Sequence, residues 1–330
     1  MNPKLERVAI GSMSFPLGVY PVEPMEPLPG YLMQFEPADG DDGSGDWEEW
    51  PDRYVFDAVI TCERLEALVT MLIQAMPPRA YPILDVMGHD AYREIDPYIS
   101  YELVGTDRMT DALRRYRSFF LEDGLVGFGA MCDDPFAYFF VDEHKIVTVR
   151  VEPDSKERIE KIFGAFDLTP VAEPAGADAA AHEHRTVLRT PPDDPDLQGV
   201  DEIVERLRDD WRLTLNIDPE SNVDDAGRAL GSTGWRVLIR AMYEDRPQWK
   251  YAEALMRASC LRQAEELALE LVLGPVDRPR DRTPQGEEPP SDALIVSADR
   301  LSPEQFKAEL ERATRDAKPG RGKPLIRWLE

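Results

Sequence analysis

Across residues 54–166 the apolar positions switch repeatedly between a period of two and a helical period, which predicts short strands interleaved with amphipathic helices. Residues 54–61 read as a strand rich in β-branched and aromatic types. Leu65, Leu68, Val69, Leu72 and Met76 then recur at helical spacing, with Thr61 placed to cap the helix, until Pro77 and Pro78 end it. There follow a run at 81–87, a strand in which Ile99, Tyr101 and Leu103 alternate with polar residues, a helix from about residue 107 with Met109, Leu113, Tyr116 and Phe120 on one stripe, and a strand at 125–131. The order is βαββαβ. A hairpin, 136–141 with 145–151, and a helix carrying Ile159, Ile162 and Phe166 extend it.

The distal part repeats the order. A short strand is expected near 186–189, a helix at 199–209, and alternating strands through Trp211, Leu213, Leu215 and Ile217 and through Trp235, Val237, Ile239, Ala241 and Tyr243. Pro247 then opens a long helical stretch that Gly274 and Pro275 terminate, with Trp249, Met256, Cys260, Leu267 and Leu271 turned inward. A strand at 293–296 and a helix with Phe306, Leu310 and Ala313 follow. The expected fold is α+β, with two ferredoxin-like (βαββαβ) units of antiparallel sheet and an extended N-terminal arm. The expected domains are the Pro-rich arm at 1–52, a first unit at 53–169 and a Pro- and Ala-rich linker at 170–198. A second unit at 199–317 and a basic tail at 318–330 complete the chain.

Charge narrows the range of partners. With 64 acidic against 38 basic residues the 330-residue chain carries a net charge of -26, which repels phosphate backbones and argues against nucleic acid. No signal-like or membrane-length apolar run occurs, so export and membrane insertion are not indicated. Cys62, Cys132 and Cys260 lack metal or disulfide spacing and fit a reducing, cytoplasmic setting as buried apolar residues. Cys62 alone stands at a helix start, where a thiolate would be favoured.

The common nucleotide, hydrolase and zincin motifs are absent from the sequence. Four histidines leave little for acid–base chemistry. His182 and His184 flank Glu183 at a spacing that suits two metal ligands, but a flexible linker lacks the fixed partners that affinity requires, so no cation is expected there. His144 is expected to be exposed in the DEHK turn. Two acidic loops are the other candidates: His89, Asp90, Glu94 and Asp96 within 88–96, and Asp218, Glu220, Asn222, Asp224 and Asp225 within 218–234.

These observations favour a non-enzymatic acidic binding or structural protein, of inhibitor or immunity type, with no cofactor. The alternative is a metal-assisted hydrolase or transferase using carboxylates of the two loops. The expected partner is a basic protein surface, met by Asp39, Asp41, Asp42, Asp46, Glu48 and Glu49 around Trp47 and Trp50, because carboxylates steer cations while indoles supply contact area.

Overall fold

The computed structural model describes residues 2, 4–38, 50–188, 199–224, 226–244, 246–274, 290–314 and 325–329. The chain divides into two compact units, one of residues 1–86 with 97–216 and one of residues 87–96 with 217–330.

The first unit opens with short strands β1 (Ala9–Ile10), β2 (Met13–Ser14) and β3 (Val19–Pro21), then β4 (Gly30–Glu36) and β5 (Arg53–Val59). Helix α1 (Cys62–Ala75) follows, then β6 (Arg79–Met87), β7 (Ile95–Ser100), β8 (Val104–Gly105), α2 (Thr106–Arg115) and α3 (Arg117–Leu121). The chain continues through β9 (Val126–Asp133), β10 (Phe136–Val141), β11 (Val147–Val151), α4 (Lys156–Ala165), β12 (His182–His184), α5 (Val200–Trp211) and β13 (Leu213–Leu215). Leu65, Leu68, Val69, Leu72 and Ile73 of α1 are buried at the spacing its sequence shows.

Nine strands form one sheet in the order β13-β7-β6-β9-β10-β11-β5-β4, with β8 attached to β6. Side chains from all five helices join one core on a single face of it, among them Leu68, Phe120, Phe163 and Trp211 against Phe56, Phe128 and Phe139. The mixed α+β class holds, but the ferredoxin-like pairing is not seen. A ferredoxin-like unit would place the third expected strand between the first two, whereas β7 pairs with β6 and β13 and is separated from β5 by β6, β9, β10 and β11. The physical reason is the hairpin β10–β11. Tight turns tie it to β9 as an antiparallel neighbour, and its outer strand then closes on β5, so it sits inside the sheet rather than on its edge.

The segment expected to be a linker is largely part of this unit. Ala175 bridges to Leu28, Pro170 to Tyr31, and β12 pairs with β3. The strand expected near 186–189 lies instead at His182–His184, and the helix expected at 199–209 runs on to Trp211.

The second unit contains β14 (Thr233–Tyr243), β15 (Arg246–Ala258), α6 (Leu261–Leu273), β16 (Asp292–Leu301), α7 (Pro303–Thr314) and β17 (Leu325–Leu329), with sheet order β16-β14-β15-β17. Residues 246–258 are strand rather than the expected helix. Ala252, Ala254, Met256 and Ala258 are buried opposite Ile239, Val237, Trp235 and Thr233, a period of two that outweighs the helix propensity of an alanine-rich run. The helix begins only at Leu261 and ends at Gly274, whose positive φ of 79° suits glycine. Residues 325–329 of the expected basic tail pair with β15, and Arg327 Nη2 donates to both carboxylate oxygens of Glu253.

Candidate metal centre

Three of the four histidines meet in the first unit. His144 stands in the turn between β10 and β11, while His182 and His184 project from the same face of β12, two residues apart. The Nε2 atom of His182 lies 3.0 Å from that of His144 and 3.1 Å from that of His184. Ring centroids are separated by 4.7, 4.8 and 4.9 Å and the planes cross at 72° to 80°, so the rings form a near-threefold propeller.

The opposite nitrogens fix the tautomers. His182 Nδ1 donates to the Ala180 carbonyl at 2.7 Å and His184 Nδ1 to the Gly124 carbonyl at 2.6 Å. A carbonyl can only accept, so in the neutral rings the Nε2 atoms carry lone pairs. His144 Nδ1 donates to the Asp142 carboxylate at 3.3 Å and lies 3.5 Å from Glu143. Three lone pairs facing one another repel unless a cation or proton sits between them. Tetrahedral ligands at zinc–nitrogen distances of about 2.0–2.1 Å have nitrogens about 3.3 Å apart, close to the two separations seen here.

Each histidine is held by the sequence around it. Asp142 closes its turn by accepting from the Ile146 amide at 2.8 Å, and Lys145 takes a left-handed φ of 67°. The Lys145 ammonium is buried and donates to the Val126 and Asp142 carbonyls. Its pKa falls to about 8 through burial, against the nearby carboxylates of Asp123, Asp142, Glu143 and Glu122. Beyond β12, the fully buried Asp123 carboxylate accepts from the Thr186 hydroxyl and from the Leu125 and Val187 amides, pinning the chain just after the histidine pair. Gly124 presents its carbonyl to His184 while its amide bonds the Arg185 carbonyl, and the Arg185 amide bonds the Gly18 carbonyl. A Cβ on Gly18 or Gly124 would collide with the other's backbone, so this close approach requires glycine at both positions.

Electrostatics divides the three histidines. Burial works to lower the His144 pKa, but the Asp142 hydrogen bond and the charges of Asp142, Glu143 and Asp178 outweigh it, and the value is raised. For His184 burial lowers the pKa, against the Gly124 carbonyl and the charge of Glu143, and the His144 and His182 rings add to the lowering. The rings are half-buried, and among the described residues no fourth His, Cys, Asp or Glu joins the three.

The candidates read from the sequence fare differently. The linker around His182 and His184 is replaced by a paired strand, which supplies the fixed partners that a solvated segment lacks, and His144 is half-buried rather than exposed. In the 88–96 loop His89 and Glu94 are exposed, Asp96 pairs with Arg93, and Asp90 is buried against Arg300. In the 218–234 loop Glu220 pairs with Arg262 and Asp224 with Arg228, Asn222 donates to the Gly231 carbonyl, Asp218 caps the Glu220 amide, and Asp225 lies outside the described residues. Asp90, Asp96, Asp218, Glu220 and Asp224 are thus already paired with arginines or backbone amides.

Of the arm, Asp39, Asp41, Asp42, Asp46, Trp47, Glu48 and Glu49 also lie outside the described residues. Trp50 packs on its own chain, with ring centroids 5.2 Å from Phe136 and 6.2 Å from Tyr138 and the Arg150 and Arg53 guanidinium groups about 5 Å from its ring. The three cysteines are buried, and burial pushes the Cys62 thiol up to about 12 despite the Arg7 guanidinium beside it, which leaves it protonated at the helix start. Thr61 occupies the N-cap of α1 but turns its hydroxyl to Glu63 and accepts from the Ser14 amide, so it does not cap the helix with its side chain. No helix among the described residues is long and apolar enough to cross a membrane. No family model, curated protein or solved structure matches this chain.

Proposed function

We propose that this chain is a metalloprotein that holds one divalent, zinc-type ion on the Nε2 atoms of His144, His182 and His184. The observation that carries the reading is the convergence of three imidazoles whose Nδ1 atoms are each committed to an acceptor. Metal-bound histidines almost always donate their second nitrogen in this way, to a carboxylate or a backbone carbonyl. Imidazole suits several transition metals, and three imidazoles with two Nε2 separations near the tetrahedral value fit zinc. The metal-assisted reading thus attaches to residues other than the loop carboxylates that the sequence suggested.

The test is calorimetric titration of the chelator-stripped full chain with zinc. One equivalent should bind, with His182→Ala and His184→Ala each weakening affinity by at least about 100-fold, beyond the 10- to 100-fold typical of outer partners. Glu183→Gln, on the opposite face of the strand, should bind as the parent does. Equal uptake by His182→Ala and the parent would rule this centre out.

A further inference from the structure

We infer that the ion at the three-histidine centre keeps a fourth, exchangeable position that carries water, and that this water hydrolyses uncharged esters. The inference rests on the metal-binding reading above and adds a reaction and a substrate class to it.

Three features carry it. Structural zinc sites are closed by four protein ligands, whereas sites that do chemistry use three and leave the fourth to water. Here the described residues supply three nitrogens, and no fourth ligand atom joins the cluster. The three histidines are also half-buried rather than fully enclosed, and the His144 side chain retains 17% of its accessible surface.

The surroundings select the substrate. Asp142 and Glu143 lie against His144, and Asp178 adds to the negative field around it. The two neighbouring cations are already engaged: the Lys145 ammonium is buried on carbonyls, and Arg185 pairs with Glu183 and lies over the Tyr20 ring. A phosphate or carboxylate substrate would find the ion as its free counter-charge among these groups and would take the water's position as a ligand. A neutral carbonyl compound does not displace the water in this way, and the ion can polarise it or present hydroxide to it.

The reaction balances without a further reactant. Bound water releases a proton to solvent, and the resulting hydroxide oxygen bonds to the ester carbonyl carbon. The bond from that carbon to the alkoxy oxygen breaks, and the departing alkoxide takes the hydroxyl proton. The carboxylate formed leaves the ion and a new water replaces it. The sum is ester plus water giving carboxylate, alcohol and one proton.

The experiment uses the chelator-stripped full chain reloaded with one equivalent of zinc or cobalt. Cobalt should give the visible ligand-field bands of a tetrahedral site, and azide should change them by taking the fourth position. The zinc form should hydrolyse p-nitrophenyl acetate at least about tenfold faster than the stripped chain, azide should inhibit it at the concentration that changes the cobalt bands, and His182→Ala should lose the gain. The stripped wild-type chain is the reference that does not depend on a variant folding. If one equivalent of metal binds but the bands ignore saturating azide, or hydrolysis matches the stripped chain, this inference falls while the metal-binding reading stands. If neither metal is taken up, both fall.

Discussion

Asp85 shows how a single carboxyl records its surroundings. It lies on β6 opposite Gly127 of β9, and burial, with a smaller contribution from the charge of Glu143, pushes its pKa up to about 6. A carboxyl whose folded pKa lies above its unfolded value of about 3.9 binds its proton more tightly in the folded chain. Stability therefore falls as pH rises from about 4 to about 6, and the full penalty persists above that window. Asp85→Asn removes the charge and keeps the shape. It should raise unfolding stability by on the order of 1–2 kcal/mol at pH 7.5, after allowance for the partial exposure of the site, and change little at pH 4. Urea titrations at the two pH values measure this, and an equal effect at both would mean that the charge of Asp85 is not what costs stability.

Among the loops of the second unit, a buried ion pair does what the sequence suggested a cation might do. The Arg300 guanidinium of β16 donates Nε to both Asp90 oxygens at 3.0 and 2.9 Å, and its amide donates to the same carboxylate at 2.9 Å. Its other arm reaches the Asn222 side chain and the Val223 carbonyl, so one guanidinium fastens both acidic loops to the strand. Removing one member of such a pair strands the other without a partner. Arg300→Met should destabilise by about 3 kcal/mol, at the low end of the usual 3–5 because Arg93 stands 3.9 Å from Asp90. The double variant Asp90→Leu with Arg300→Met should recover part of the loss, and urea midpoints for the three chains decide; a single variant as stable as the parent would show the pair to be idle. Asp90 and Arg300 stand 210 positions apart and nothing in the sequence joins them, which is why the loop read as a possible ion site. What periodicity did reveal was local: α1, β6, β9, β10 and β11 follow their apolar spacing closely. It failed where pairing partners decide, as at residues 246–258, where β14 and β17 hold an alanine-rich run extended. His182 and His184 were legible as a ligand-spaced pair, but their third member is 38 residues away, and only the β3–β12 pairing converts the segment from apparent linker to scaffold.

The net charge of -26 bears on function at the scale of the whole chain, and its effect runs in the direction that the metal reading requires. An acidic protein attracts divalent cations through the summed field of its carboxylates, and Asp142, Glu143 and Asp178 concentrate that field at His144. Salt contracts the range of such attraction, from a Debye length of about 30 Å at 0.01 M to about 10 Å at 0.1 M and about 3 Å at 1 M. The direct metal–imidazole bonds are insensitive to this screening. Zinc affinity should therefore fall several-fold between about 0.02 M and about 0.5 M of a salt whose anion does not coordinate metal, then level off at the contribution of the ligands alone. Competition against a chromophoric chelator, its own salt dependence measured in parallel, supplies the affinity at each concentration. Asp178→Asn should bind zinc more weakly than the parent at low salt and converge with it at high salt, because it removes a charge that His144 senses while leaving the three nitrogens in place. Parallel salt curves for the two chains would mean that the surrounding carboxylates do not steer the ion, and that the affinity resides in the imidazoles and their hydrogen-bonded carbonyls.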